Sequence, residues 1–283
     1  MKYRHTFHAG NFADLHKHVT LLALLAALKR KDKGFLYLET HAGRGAYDLS
    51  NPTAETAAGI GRFCAAAHSA AELRQYAALL AQLRAQHGNP RFYPGSPVLA
   101  VHELRPQDRA VFIELAPAEA RALEHALDPA ADANARLRLE RGDGFERLRA
   151  WLPPPQRRGL TFIDPPYEET MRDFERVTAA IVEALRRFRT GIIAAWYPIK
   201  DEREIAAWRA GVARRIDCET LASELWLYPR DSRVSLNGSG MLIVNPPYLL
   251  AERMHVWLPE LQRQLDVGHE GGTSIQIAPA GAS

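Results

Sequence analysis

Between Ala110 and Trp196 the sequence alternates short apolar runs with helical patterns: strand Ala110 to Leu115, helix Pro117 to Leu127, strand Leu137 to Glu140, helix Phe145 to Trp151, strand Leu160 to Ile163, helix Arg172 to Arg189, strand Ile192 to Trp196. Strands joined through helices pair in parallel, and a parallel sheet needs helices on both faces. The expectation is a doubly wound α/β fold with ligands at the carboxyl ends of its strands.

The N-terminal part fits the same plan. Asp14 to Lys33 carries Leu15, Val19, Leu22, Leu25 and Leu28 at helical spacing, with cations in the last turn and Gly34 as a stop. Phe35 to Thr40 reads as a buried strand entering the tight loop His41-Ala42-Gly43-Arg44-Gly45. From about Leu49 to Pro94 the pattern is helical without strands, and Ser69-Ala70-Ala71-Glu72 reads as a capping box opening the stretch to Gly88. This stretch is expected to be an inserted helical subdomain. It divides the chain into 1–48 (an N-terminal element and the start of the main domain), 49–93 (the insert) and 94–283 (the rest of the main domain). Ser96 and Pro97 then read as N-cap and first residue of a short helix through Leu104. Leu221 to Leu227 and Gly240 to Val244, joined by the turn-rich Pro229 to Ser239, predict a closing antiparallel pair, so that the mostly parallel sheet has seven strands. Gly271 to Ser283 reads as poorly ordered.

Composition narrows the class. No apolar run is long enough to span a bilayer, and the polar start Met1-Lys2-Tyr3-Arg4-His5 is unlike an exported leader, so a cytoplasmic protein is expected. Cys64 and Cys218 have no partner at metal spacing and read as small core fillers. A net charge of +3 permits an anionic partner. The clusters Lys29-Arg30-Lys31, Arg157-Arg158, Arg186-Arg187-Arg189 and Arg214-Arg215 each read as solvated helix ends or faces.

The strongest chemical signal is Asp164-Pro165-Pro166-Tyr167 directly after a buried strand. An exocyclic adenine nitrogen is a poor nucleophile because its lone pair is delocalised into the ring. Two acceptors on its hydrogens favour a pyramidal nitrogen with the lone pair aimed at a methyl donor. The Asp164 carboxylate and the Pro165 carbonyl would be those acceptors, with Tyr167 stacking on the base. The competing reading is a rigid turn with Asp164 capping the next helix. A second copy, Asn245-Pro246-Pro247-Tyr248, follows the strand Met241 to Val244. Its position at the end of the last strand, away from the switch point, reads as a turn. Three weaker signals stand at successive strand ends. His41 to Gly45 would approach the methionine part of S-adenosylmethionine, Glu114 its ribose hydroxyls, and Asp143-Gly144 its adenine. His16, Lys17 and His18 do not form a metal pair, because residues two apart on a helix face different ways.

With these residues in view, the chain resembles the bacterial RlmJ family, the 23S rRNA adenine-N6 methyltransferases. The resemblance rests on Tyr3 to Asn11, Asp14 with Lys17-His18, Phe35 to Gly43, Tyr93 to Pro97, Asp143 to Phe145, Arg158-Gly159, Ile163 to Glu168, Trp196 to Pro198 and Asn245 to Pro247. It implies the Rossmann-like S-adenosylmethionine-dependent methyltransferase fold with an inserted helical subdomain. It also implies cofactor contacts at His18, His41, Gly43, Ser96, Glu114, Asp143 and Gly144, catalysis by Asp164, and an N-terminal element with Tyr3, His5 and Lys17 closing on cofactor and substrate. The target so implied is adenine 2030 of 23S rRNA, met before ribosome assembly is complete by a monomer that uses no metal. Arg44 and Ala116 depart from the family's pattern, and Arg44 falls within the cofactor loop. A DNA adenine methyltransferase, a protein glutamine methyltransferase using Asn245 and a non-catalytic RNA-binding relict are the alternatives.

Overall fold

The computed structural model describes residues 8–128, 136–168, 170–229, 236–266, 268 and 270–281. In chain order its elements are α1 (Phe12–Lys29), β1 (Leu36–Glu39), β2 (Ala46–Asp48), α2 (Ala54–Thr56), a π-helical turn (Ala57–Gly61), α3 (Arg62–Ala65), α4 (Ala71–Gln86), β3 (Phe92–Pro94), α5 (Ser96–Glu103), β4 (Arg109–Glu114) and α6 (Pro117–Leu127). There follow β5 (Leu137–Arg141), α7 (Gly144–Trp151), β6 (Gly159–Ile163), α8 (Thr170–Arg187), β7 (Ile192–Ile199), α9 (Glu202–Arg215), β8 (Thr220–Trp226), β9 (Gly238–Val244), α10 (Leu250–Leu265) and β10 (Gly272–Ala278).

The main sheet runs β10-β8-β9-β7-β6-β1-β4-β5. β1 pairs in parallel with both β4 and β6, and β5 and β7 extend the parallel set outward. Winding therefore reverses between β1 and β6, which splays the chain apart beyond their carboxyl ends and opens a crevice there. Alternate residues serve two apolar layers. Tyr37, Phe112, Phe162 and Ile243 pack with α1, α4 and α10, whereas Leu38, Val111, Ile163 and Leu242 pack with α7 and α8. No described helix is long and apolar enough to cross a membrane.

Among the described residues the sheet has eight strands rather than seven. β10 pairs antiparallel with β8 along its whole length, in the stretch expected to be poorly ordered. The period-two pattern Thr273, Ile275, Ile277 lies among Gly, Ala and Ser, and the edge of β8 supplies the backbone partners that the segment alone lacks. β8 and β9 form the expected antiparallel pair. Helices α9 and α10 occupy stretches to which the pattern reading assigns nothing. α10 contains Pro259, whose missing donor would have faced the exposed His255, so the helix continues past it.

Two capping expectations are corrected. α4 begins at Ala71, and the Ser69 and Ala70 N–H groups donate to the Glu260 carboxylate of α10 at 2.6 and 2.9 Å. Glu72 meanwhile accepts from Arg253 Nε at 2.7 Å, so a partner helix replaces the local box. α5 begins at Ser96 with Gly95 as N-cap, because the Ser96 hydroxyl is directed at Glu39. Cys218 is buried as expected, but Cys64 is exposed. The helical stretch between β2 and β3 leaves and returns through their antiparallel pairing, and its Phe63, Leu73, Tyr76 and Leu80 join the same apolar layer as α1.

Candidate active site

The carboxyl ends of β1, β4, β5 and β6 surround a cleft of about 720 Å³. Its floor is the loop after β1. Gly43 has φ +63°, and its N–H donates to Glu114 Oε2 at 2.8 Å, while Ala116 N–H donates to Glu114 Oε1 at 2.7 Å. These bonds fix the carboxylate at the end of β4 and leave acceptor capacity facing the cleft. Gly95 N–H donates to Gly45 O at 2.7 Å, and a Cβ at Gly95 would stand 2.9 Å from that oxygen. Arg44 turns to Glu119 at 3.1 Å, so the departing residue is held by α6.

Asp143 caps α7 by accepting from Phe145 N–H at 2.9 Å, and its other oxygen is ion-paired with Arg176. The Arg176 guanidinium lies 4.4 Å over the Phe145 ring, whose edge meets His41 at 4.6 Å. Burial pushes the His41 ring down to about 4, so it is neutral at pH 7. A Cβ at Gly144 would stand 1.8 Å from Thr40 O, so no other residue allows the start of α7 to approach the end of β1.

His18 lines the cleft and bonds through Nδ1 with the Tyr76 and Tyr93 hydroxyls at 3.0 and 3.2 Å. Ser96, also on the wall, donates to Glu39, which is fully buried and accepts from Tyr37 Oη at 2.9 Å. Burial raises the Glu39 carboxyl to about 8, against the two hydroxyl bonds that favour its ionised form.

Asp164 follows β6 directly. Its Oδ2 lies 2.6 Å from Lys17 Nζ, which also lies 3.1 Å from Asp14 Oδ1 and 5.8 Å from the centre of the Trp196 ring. The side chains of Asp14, Lys17 and Asp164 are only 4%, 6% and 13% exposed, so one ammonium is shared by two carboxylates in a dry setting. Pro165 and Pro166 continue the wall.

Tyr167 is not on that wall. It has φ +49°, the residue is only 5% exposed with its ring between Phe174 and Trp196, and its hydroxyl donates to Trp196 O at 2.7 Å. In this conformation it braces the turn against β7 and presents no face for a base to stack on. Tyr3 and His5 lie outside the described residues.

Asn245 stands elsewhere. β9 runs antiparallel to β7, so its end lies beside the start of β7. There Asn245, at φ +54°, donates through Nδ2 to the carbonyls of Arg189 and Gly191 at 2.8 Å each. Its amide locks a turn at the opposite end of the strands from Asp164. His16 and His18 diverge as helical geometry requires. His16 is buried between the Ser239 and Ser223 hydroxyls at 3.0 and 2.9 Å.

Asp14, Glu39, Phe145 and Arg176 join the site without any local sequence motif that marks them as site groups. The i, i+3 spacing of Asp14 and Lys17 was a usable signal. The Arg176 contact joins two elements 33 residues apart and left none.

The family model described as ribosomal RNA large subunit methyltransferase D, RlmJ, matches residues 32–277. A protein named ribosomal RNA large subunit methyltransferase J from Escherichia coli is 39% identical over 279 residues, covering 97% of this chain and 98% of its own length. Its namesake from Haemophilus influenzae is 37% identical over 280 residues, covering 98% of each chain. A crystal structure of a Legionella pneumophila protein superposes with a TM-score of 0.84 at 34% identity, over 97% of this chain and 99% of that one. A family match running from the approach to β1 into β10, with relatives alike along nearly their whole length, makes this chain a member of the RlmJ family.

Proposed function

We propose that the protein transfers a methyl group from S-adenosylmethionine to the N6 amino group of an adenine in large-subunit rRNA, by the family's analogy adenine 2030 of 23S rRNA. One observation carries the reading. The Asp164 carboxylate and Pro165 stand on the wall of a cleft at the sheet's switch point, with Glu114 and Asp143 at the ends of β4 and β5 on the far side of β1.

The residues present suit the cofactor. Gly95 and Gly144 let the backbone segments around the cleft floor approach closely, Glu114 offers acceptor capacity to ribose hydroxyls, and neutral His41 packs against Phe145. Ser96 and His18 line the opposite side. When bound, S-adenosylmethionine supplies an electrophilic methyl group on its sulfonium. Asp164 and the Pro165 carbonyl accept the two amino hydrogens of the adenine and orient its lone pair. Lys17 fixes the direction of the carboxylate, and the hydrogen displaced from N6 leaves as a proton to water. The target base is taken out of its stack to reach the cleft.

The names of the relatives favour rRNA over DNA, and the position of Asn245 disfavours a glutamine methyltransferase. In transfer assays with labelled cofactor, Asp164→Ala should lower turnover on unmodified 23S rRNA by at least about 10²-fold, with cofactor affinity retained. Near-wild-type turnover would sink the assignment, and a preference for duplex DNA in competition would replace rRNA as the substrate.

A further inference from the structure

We propose that the helical insert acts as a clamp that positions the catalytic carboxylate, with Asp14 as the positioning residue that passes its grip to Lys17 and Asp164. The proposal rests on the reading of Asp164 above.

The insert holds the segment entering α1 at four points. Glu55 Oε2 meets His8 Nδ1 at 2.8 Å and accepts from Asn11 Nδ2 at 3.4 Å. Thr56 Oγ1 donates to Ala9 O at 3.1 Å, and Ile60 N–H donates to Gly10 O at 2.7 Å. The last bond depends on the π-helical turn Ala57–Gly61, whose slipped ladder lets the Ile60 N–H point out of the helix. The backbones are in close contact there. A Cβ at Gly59 would stand 2.1 Å from Gly10 O, and Gly10 itself has φ +78°.

From this grip a continuous buried path leads to the cleft. Gly10 N–H donates to Asp14 Oδ2 at 2.9 Å, and Asp14 N–H donates to Asn11 Oδ1 at 3.0 Å. The other Asp14 oxygen then meets Lys17 Nζ at 3.1 Å, and that ammonium meets Asp164 Oδ2 at 2.6 Å. A lysine on four rotatable bonds has many positions for its ammonium. Its bond to Asp14 restricts them, and the placement of Asp14 is set by Gly10, which the insert holds. The fold alone does not require a π turn whose N–H seats a residue of the N-terminal segment.

The test compares Gly59→Ala, Thr56→Val and Asp14→Asn with wild type in turnover on 23S rRNA, cofactor affinity by calorimetry, and thermal midpoint. The Gly59 change pushes Gly10 through backbone contact and is expected to lower kcat by about 10- to 100-fold, because displacements near 1 Å at a catalytic group have that effect. Cofactor affinity should stay within about twofold, since Glu114 and Asp143 are untouched. The Asp14→Asn/Gly59→Ala double variant should be no slower than the slower single variant, because both act on one path. A general structural defect would instead lower binding with turnover and make the losses multiply. Folded Gly59→Ala with kcat within twofold of wild type overturns the clamp, as do multiplying losses. If Gly59→Ala does not fold, Thr56→Val decides by the same criteria, with a smaller expected loss of about 3- to 10-fold. Should Asp164→Ala keep its activity, the reading of the site fails. An inactive Asp164→Ala beside fully active clamp variants defeats the clamp alone.

Discussion

Replacing Lys17 with methionine keeps an unbranched stem, one atom shorter, and removes the cation that Asp14 and Asp164 share. The two carboxylates then face each other with 4% and 13% of their side-chain surface exposed. Removing one partner of a buried ion pair costs about 3–5 kcal/mol, because an uncompensated charge remains in a poorly hydrated place. In a chain of 283 residues each kcal/mol moves the melting midpoint by roughly 2–4 °C, so a fall of roughly 6–20 °C is expected. Calorimetric melts of Lys17→Met, Asp164→Asn and the double variant form a cycle. The double variant should be more stable than the two separate losses imply, by about 1–3 kcal/mol, since neutralising Asp164 relieves the repulsion that the missing ammonium exposes. Additive losses, or a Lys17→Met midpoint within about 1 °C of wild type, would refute the view that this lysine neutralises a buried acidic pair.

Three further outcomes follow from named contacts. Glu39 holds its proton up to about 8 in the folded state and has an ordinary value of 4.5 when unfolded, so between those values the folded form carries the extra proton and wild type loses stability as pH rises. Glu39→Gln should therefore gain on wild type by on the order of a few kcal/mol between pH 4.5 and 8 in urea melts, and a pH-independent difference would contradict this. Gly144→Ala, whose Cβ would stand 1.8 Å from Thr40 O, should lower affinity for labelled S-adenosylmethionine by at least about tenfold in equilibrium dialysis; unchanged affinity means that the close approach of α7 to β1 does not shape the cleft. Asn245→Ala should lose about 1–3 kcal/mol in denaturant melts, because two hydrogen bonds and a tolerated left-handed residue go together, and it should retain its rate per folded molecule, whereas loss of that rate would restore Asn245 as a catalytic candidate.

The alternation of strand and helix from β4 to β7, and the acidic or proline-bearing residues that end those strands, were legible because they obey local rules. The buried strands read as short apolar runs up to a turn, and a doubly wound sheet brings their carboxyl ends together, so Glu114, Asp143 and Asp164 could be grouped from their places in the sequence. Local rules failed wherever the partner came from a distant segment. The N–H groups opening α4 bond to Glu260 rather than to their own capping box, β10 forms only because β8 presents an edge, and the Tyr167 ring sits against Trp196 instead of facing the cleft.

Read alone, the amino-acid order determined the fold class, the polarity of the sheet and the identity of the carboxylate at its switch point. Only the tertiary structure decided what that carboxylate touches. Asp14 and Lys17 lie about 150 positions before Asp164, and no periodicity carries information over such a separation. Their buried ion pairing arises when α1 packs across the sheet and the insert fixes the segment leading into it.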